Sequence, residues 1–301
     1  MELNRFIHKV MQGVEEFSGE DVHVEIKKIV KNNNVILDGL IIMKKGQNIS
    51  PTIYLNDYFQ EYQKGKPVSA IVYEIIKLYE EKQFEGKFDV DFFTDYQNVQ
   101  GKIAYKLVNY KKNEQLLKEI PHITFLDMAI VFYCIVAGDA FGNATILIYQ
   151  NHCRMWGVTV WDIYEVAKRN MTRLLPHAIQ NIEELINDIL QTEEIESETV
   201  LPMYVLTNRT KLFGAACILY EGVLETFAEQ FGRDIYILPS SIHEVILIPD
   251  SGNFDSRQLE EMVREVNMTQ LETQEILSDS VYRYDRINKK IDFAASAEIV
   301  E

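Results

Sequence analysis

The chain has 301 residues, and its 30 basic and 46 acidic side chains give a net charge of −16 at neutral pH. With 47% hydrophobic and 25% charged residues it has the ordinary mixture of a globular protein, which excludes a disordered, a collagen-like or a disulfide-stapled chain. No apolar run of about 18 residues occurs, so we expect no membrane span.

The negative charge is concentrated in the last third of the chain. Residues 191–301 carry 21 acidic and nine basic side chains, which is a net charge of −12. An acidic surface repels phosphate backbones, so we expect no general binding to nucleic acid. Solubility alone accounts for such a surface. The alternative is an acidic contact for a basic protein partner.

The N-terminus predicts an amphipathic helix and no secretory signal. Apolar residues recur at helical spacing over residues 3–14, with charged residues between them. The three cysteines, Cys134, Cys153 and Cys217, are odd in number and far apart in sequence. They indicate reduced thiols, and we therefore expect a cytoplasmic protein.

The first part of the chain predicts a helix, a hairpin, a third strand and two more helices. The asparagine-rich residues 31–34 supply the hairpin turn, and Asn56 or Asp57 is expected to cap the helix that ends near Gly65. Residues 84–101 predict a loop or linker. The predicted strands cover residues 22–27, 35–43 and 51–55, and the strongest helical pattern covers residues 68–79.

The rest of the chain predicts further strands and helices, with the acidic residues 191–199 as a boundary or exposed loop. Gly232 is expected to end a helix as its C-cap. The tail after Asp292 is expected to fray. Predicted strands cover residues 103–108, 129–136, 144–149, 203–207, 235–238, 245–248 and 281–284, and predicted helices cover residues 111–120, 160–171, 182–190, 219–231 and 259–266.

Runs of strands followed by helices, without strict alternation, predict an α+β fold with antiparallel or mixed sheets and amphipathic helices. We expect two or three packed modules. An N-terminal module would cover residues 1–110, a central hairpin with helices would cover residues 111–190, and an acidic α+β part would cover residues 191–301. The alternative is that these parts form one compact unit.

The motifs of several catalytic classes are missing from the sequence. It has neither a phosphate-binding loop nor a dinucleotide fingerprint, and it has no nucleophile elbow. His243 and Glu244 begin like a zinc-protease helix, but the second histidine is absent. We therefore expect no cofactor and no metal, and the sequence favours a protein that is not an enzyme.

One polar segment could form a small site. Ser240, Ser241, His243 and Glu244 lie between two apolar strands, and Asn208 ends another strand. If these side chains converge, they could bind a small ligand or support catalysis. The alternative is structural, because serine hydroxyls often satisfy turn amides and the histidine could cap or pack.

A second candidate surface is aromatic. Asp91, Phe92, Phe93 and Tyr96 form a cluster of aromatic residues with acidic neighbours. Aromatic residues are enriched where proteins bind each other, and packing beneath a long loop is the alternative explanation.

Five strings carry a resemblance to a known family, and they cover residues 49–55, 142–145, 202–208, 214–216 and 238–246. They resemble an uncharacterised family from anaerobic gut Firmicutes, the domain-of-unknown-function family 5688. The resemblance extends from the first helix to about Arg286 and implies no activity, cofactor or catalytic residue. In layout, residues 128–285 also resemble a second uncharacterised bacterial family, typified by small cytosolic Bacillus proteins.

These observations favour a cytosolic, non-enzymatic protein-binding or adaptor-type protein that contacts its partner through the acidic last third. A small-ligand sensor or enzyme with a site at Ser240–Glu244 is the second hypothesis. The third is an acidic mimic of nucleic acid, which requires the acidic residues of 191–301 to form a continuous stripe. The sequence leaves the oligomeric state and the partner open.

Overall fold

The protein is described by a computed structural model. The structure describes residues 2–19, 21–48, 50–82, 90–136, 144–185, 202–253 and 255–294, with only the backbone of residues 90 and 91. Helices and antiparallel sheets confirm the predicted α+β class. Within these residues the chain forms two compact units, one from residues 1–93 and 136–144 and the other from residues 94–135 and 145–301.

Unit 1 packs helices on a three-stranded antiparallel sheet of order β1-β2-β3. The predicted hairpin is confirmed, and Asn33 and Asn34 adopt the left-handed conformation that its turn requires, with φ of 58° and 57°. The elements of this unit are α1 (Glu2–Ser18), β1 (Val22–Val30), β2 (Ile36–Lys44), β3 (Thr52–Tyr54), α2 (Leu55–Gln63) and α3 (Val68–Lys82).

The core of unit 1 forms where the apolar stripes of α1 and α3 meet the sheet. Phe6 and Val10 of α1 are buried with Ile71 and Ile75 of α3 and Leu40 of β2. The spacing of these residues matches the helical period, so the sequence pattern dictates which face is covered. Burial of apolar surface at about 25 cal/mol per Å² is the main stabilising contribution here.

The predicted cap of α2 is wrong. The helix begins at Leu55 after Tyr54, whose side chain makes no capping hydrogen bond. Asn56 instead accepts a hydrogen bond from the Asp38 amide at 2.8 Å through its side-chain oxygen. The side chain of Asn56 therefore bonds to the backbone of β2 instead of capping the helix.

Unit 2 is the larger unit. It begins at Thr94, which is the last residue of helix α4 (Val90–Thr94). Its helices are α5 (Tyr96–Val99), α6 (Glu114–Leu117), α7 (Gln150–Trp156), α8 (Val160–Leu174), α9 (Val223–Phe231) and α10 (Ser256–Thr269), and a 3₁₀ helix covers Gly214–Leu219. Its strands are β4 (Ile103–Asn109), β5 (His122–Phe125), β6 (Met128–Ile135), β7 (Thr145–Leu147), β8 (His177–Asn181), β9 (Tyr204–Asn208), β10 (Ile235–Pro239), β11 (Val245–Pro249), β12 (Tyr282–Asp285) and β13 (Lys290–Phe293).

Two antiparallel sheets share the main core of unit 2. β6 lies between β4 and β5 and also pairs with β7, and the second sheet has the order β13-β12-β10-β11-β9-β8. Phe132, Met171, Cys217 and Ile237 belong to one buried cluster, so both sheets, α8 and the 3₁₀ helix pack together. Residues 111–135, 145–185 and 202–294 therefore lie in one unit, and the division into three parts stays a prediction.

Some predicted features differ from the structure or lie outside it. The loop predicted over residues 84–101 contains α4 and α5 where it is described. The acidic boundary at 191–199, the tail after Ala294 and residues 186–190 of a predicted helix lie outside the described residues. Gly232 ends α9 with φ of 62°, which confirms the predicted cap. No helix in the described ranges is long and apolar enough to cross a membrane.

Candidate functional site

The predicted polar segment forms the turn between β10 and β11. The Ser241 amide donates to the Glu244 carbonyl at 3.1 Å, and the Ser241 hydroxyl accepts from the His243 amide at 3.0 Å. Ser241 is buried, whereas Ser240, His243 and Glu244 are half-buried. The hydroxyl of Ser241 therefore shapes its own turn, as serines in such turns commonly do.

The ring of His243 is held by a neighbouring loop. Its Nδ1 atom lies 3.2 Å from the Phe213 amide nitrogen and 3.1 Å from the Lys211 carbonyl oxygen. The nitrogen accepts from Phe213 in one tautomer and donates to Lys211 in the other. The rings of His243 and Phe213 stack with centroids 5.5 Å apart and an interplanar angle of 15°. The imidazole therefore packs against the phenylalanine ring.

Asn208 organises the same loop from the end of β9. Its Nδ2 donates to the Leu212 carbonyl at 2.7 Å, and its Oδ1 accepts from the Thr210 hydroxyl at 2.8 Å and the Leu212 amide at 3.1 Å. The side chain is 1% exposed. The hydrogen bonds of the asparagine therefore fold residues 209–213, which is a structural task.

A close approach of two backbone segments joins these residues into one corner. The Thr207 hydroxyl donates to the His243 carbonyl at 2.8 Å. A Cβ atom on Gly214 would lie 2.2 Å from that hydroxyl oxygen and 2.5 Å from that carbonyl oxygen. The structure thus brings Asn208, Ser241 and His243 together, and their hydrogen bonds go largely to backbone groups. A ligand site at Ser240–Glu244 stays a prediction.

The cysteines are free and buried. Burial raises the pKa of the Cys134 thiol to about 11 and that of Cys217 to about 12, and it also raises the pKa of Cys153. The thiolate is the nucleophilic form, so these thiols are poorly reactive at neutral pH. No three His, Cys, Asp or Glu side chains of the described chain gather closely enough to hold a metal ion.

The aromatic segment splits between interior and half-buried positions. Phe93 is buried and Phe92 is half-buried, while the side chain of Asp91 lies outside the described residues. Tyr96 contacts Trp156 with ring centroids 5.8 Å apart. Packing therefore accounts for Phe93 and Tyr96, and a partner-binding role for this segment stays a prediction.

A different location, the edge of the six-stranded sheet, has backbone groups that no described strand pairs. β8 pairs with β9 on one side and ends the sheet on the other. The Arg209 amide donates to the Pro176 carbonyl, and the Ile182 amide donates to the Met203 carbonyl, both at 2.9 Å. Hydrogen-bonded and non-hydrogen-bonded pairs alternate along an antiparallel register, so the backbone N–H and C=O groups of residues 178 and 180 face β9. The backbone groups of 177, 179 and 181 face away, with no strand beside them in the described part of the chain.

A groove of about 610 Å³ lies along this edge. The side chains of His177, Ile179 and Asn181 form one wall, because alternate residues of a strand share a face. Tyr204 and Phe227 form an aromatic floor, with ring centroids 5.1 Å apart at 75°. The groove lining therefore combines these aromatic rings with polar side chains, Thr226 and Gln230 among them, and borders the outward-facing backbone of β8.

Two glutamates border the groove. Glu184 follows β8 in a helical turn whose start is fixed by a 2.9 Å hydrogen bond from the Glu183 amide to the Asn181 side chain. Glu221 precedes Gly222, which has φ of 76° and begins α9. The pKa of the Tyr204 hydroxyl is raised by burial and then by the charges of Glu184 and Glu183. No lysine or arginine of the described residues lines the groove.

Many other acidic residues of the last third have local partners. Arg283 pairs with Asp234 at 3.0 Å and with Asp250 at 2.9 Å, and Lys289 pairs with Glu225. These pairs reduce the negative charge available on that surface. The nucleic-acid mimic, which requires a continuous acidic stripe, stays a prediction.

Sequence patterns missed β8 and therefore the groove. The strand His177–Asn181 contains one large aliphatic residue, so its alternation is weak. The available signals were Pro176 before the strand and Asn181 at its end, which are typical strand boundaries. Glu221 and Phe227 join the groove from 40 residues or more away in sequence, a proximity that no local pattern contains.

A family model for a family of unknown function, DUF5688, matches residues 3–286. The chain belongs to this family. The match confirms the resemblance that the sequence strings carry, and the family has no assigned activity. No curated protein and no solved structure matches the chain significantly. The function of this DUF5688 protein is therefore unknown.

Proposed function

We propose that the protein is a protein-binding module that adds an extended segment of a partner to its six-stranded sheet at β8. The open backbone of His177, Ile179 and Asn181 carries this proposal. An added strand gains main-chain hydrogen bonds from such an edge and specificity from side-chain pockets beside it. The groove provides such a pocket next to the same three residues.

Charge favours a basic partner over a second copy of the chain. The groove is bordered by Glu184 and Glu221, and none of the described residues that line it is a lysine or an arginine. A second copy would bring the same two carboxylates and another net charge of −16 to the contact, and like charges across an interface are unfavourable. The occupant is therefore a basic segment of a different protein. Glu221 belongs to the acidic last third, whereas Glu184 precedes it.

Selection from a library of short random peptides tests the proposal on the full chain. Wild-type protein is compared with Ile179→Pro, which removes an outward backbone donor without removing a β8–β9 hydrogen bond. Ile179→Val is the matched control because it keeps the donor and most of the apolar surface. We expect wild type and Ile179→Val to enrich and bind the same peptides, and Ile179→Pro to bind them about ten-fold more weakly or worse.

A second comparison changes the peptide instead of the protein, so it does not depend on how Ile179→Pro folds. Two peptides are made, each N-methylated on one of the two alternating sets of amides. Only one set faces β8 in the added strand, so one of the two peptides should lose binding. The proposal is contradicted if no peptide is enriched, or if binding survives both N-methylated registers. A dimer that Ile179→Pro dissociates would assign the edge to a second copy and contradict it as well.

A further inference from the structure

We infer that the β8 groove selects a segment with two basic residues four positions apart and an apolar residue midway between them, basic–x–apolar–x–basic. The inference rests on the proposed strand addition and specifies the segment that is added. It follows from where the two glutamates and the apolar floor lie relative to the strand.

The periodicity of a strand decides which partner residues face the groove. Cross-strand neighbours point to the same face of a sheet, so partner residues opposite His177, Ile179 and Asn181 direct their side chains over the groove. Residues between them point to the other face. Three partner positions, separated by two residues each, therefore contact the groove.

Each end of the strand has one glutamate near it. His177 starts β8, and its ring centroid lies 6.5 Å from that of Tyr220 in an edge-to-face arrangement. Glu221 follows that tyrosine directly. At the other end Asn181 is the cross-strand neighbour of Tyr204, whose hydroxyl is influenced by the charge of Glu184. Four residue steps of about 3.3 Å separate the two ends by roughly 13 Å. One partner side chain cannot serve both ends, whereas residues four apart can.

The centre of the groove requires an apolar side chain. Ile179 lies midway along the strand, and the groove lining also contains Val223 and Phe227 of α9. A charged partner residue here would lose water without gaining a counter-ion, which is unfavourable. The aromatic floor also suits the aliphatic stems of lysine and arginine and attracts their charged ends.

The motif reads the same in both directions, so it fits a parallel or an antiparallel added strand. It also excludes β8 itself as the preferred occupant, since His177–Asn181 lacks a lysine or arginine at either end. Composition and spacing therefore define the segment in either strand direction.

The test repeats the peptide selection with Glu184→Gln and Glu221→Gln in the full chain. Glu229→Gln is the matched control, because it removes the same charge from α9 without lining the groove. We expect wild type and Glu229→Gln to enrich basic residues at two positions four apart. Each groove variant should lose that preference at one end only and bind the wild-type peptide about five-fold more weakly.

Different results would overturn the motif and the proposed strand addition. Enriched peptides that lack the spaced basic pair, or that bind all three variants equally, overturn the motif and leave strand addition standing. A selection that enriches no peptide overturns the motif together with the proposed function. Replacing the central apolar residue of an enriched peptide by glutamate should abolish binding, and unchanged binding would also overturn the motif.

Discussion

At Gly214 the backbone lies very close to Thr207 and Asn208 on one side and to His243 on the other. An added Cβ atom would meet the Thr207 hydroxyl oxygen, the His243 carbonyl oxygen and the Asn208 nitrogen at 2.2, 2.5 and 2.8 Å. Two of these three contacts are backbone atoms, which cannot rotate away as a side chain can. A single methyl group therefore has no space here.

We predict that Gly214→Ala destabilises the protein by about 3 kcal/mol or more, because overpacking forces backbone shifts. Gly101→Ala is the control, since a Cβ atom there has no neighbour within 4 Å, and it should change stability by less than about 0.5 kcal/mol. Denaturant unfolding of both variants measures the difference. Equal midpoints would contradict the close approach.

Two buried tyrosines differ in how their hydroxyls are satisfied. The Tyr133 hydroxyl has no hydrogen-bond partner in the described structure, and its side chain is 1% exposed. The Tyr282 hydroxyl donates to the Asp127 carboxylate at 2.5 Å. An unpaired buried hydroxyl is unfavourable, whereas a bond to a carboxylate is strong.

Phenylalanine substitutions should therefore have opposite effects at these positions. Tyr133→Phe is expected to leave stability unchanged or raise it by about 1 kcal/mol, and Tyr282→Phe to lower it by about 2 kcal/mol. Calorimetric melting of each variant provides the comparison. A large loss in Tyr133→Phe would mean that the hydroxyl has a partner after all.

At the level of elements, the sequence predicts best those whose burial follows a regular period. α1, α3 and α8 have continuous apolar stripes, and the hairpins β1–β2 and β10–β11 join neighbouring segments through short turns. β5, β8 and β13 were missed. They are four or five residues long, and they become strands through pairing with β6, β9 and β12, which tertiary context decides.

The same reason limits how far the candidate site could be predicted. Sequence analysis proposed a site at Ser241, His243 and Asn208 because they flank strands. Their side chains hydrogen-bond to backbone groups, and a ligand site there stays a prediction. The charge count located acidity in the last third without locating the groove. The groove required the pairing of β8 with β9 and the approach of α9, which are long-range features.

Proline substitutions within β8 test its orientation without any ligand. The Gln180 amide faces β9, so Gln180→Pro should remove a ladder hydrogen bond and destabilise the protein by about 3 kcal/mol. Ile179→Pro should cost about 1 kcal/mol or less, because its amide faces outward. Thermal melting of the pair decides the register. The reverse order of stability would contradict the assigned edge.

At the level of the whole molecule, unit 2 buries several groups that resist ionisation. Burial raises the pKa of the thiols of Cys134 and Cys217 and of the hydroxyls of Tyr105 and Tyr220. The folded state therefore keeps protons that the unfolded chain loses at high pH. Stability contributed by these groups is fully present below about pH 9 and falls as the pH rises further.

We accordingly predict that the free energy of unfolding decreases between about pH 9 and pH 12. Burial raises the pKa of the Cys134 thiol to about 11 and that of Cys217 to about 12, so the contribution of each thiol falls until the pH reaches that value. Urea unfolding at several pH values measures this slope. The native thiols should also resist a thiol reagent near pH 8 and react once unfolded. A flat profile above pH 9, or rapid labelling of the native state, would contradict their burial.

The central claim is that β8 receives a basic extended segment, and hydrogen exchange tests it most directly. The full chain is mixed with a peptide enriched by selection, and amide protection is read residue by residue. We predict new protection at Ile179 and Asn181 of wild type, no new protection at Asn181 in Ile179→Pro, and none with the N-methylated peptide whose blocked amides face β8. Protection confined to the turn at Ser240–Glu244, with β8 unchanged, would contradict the claim and favour the small-ligand hypothesis.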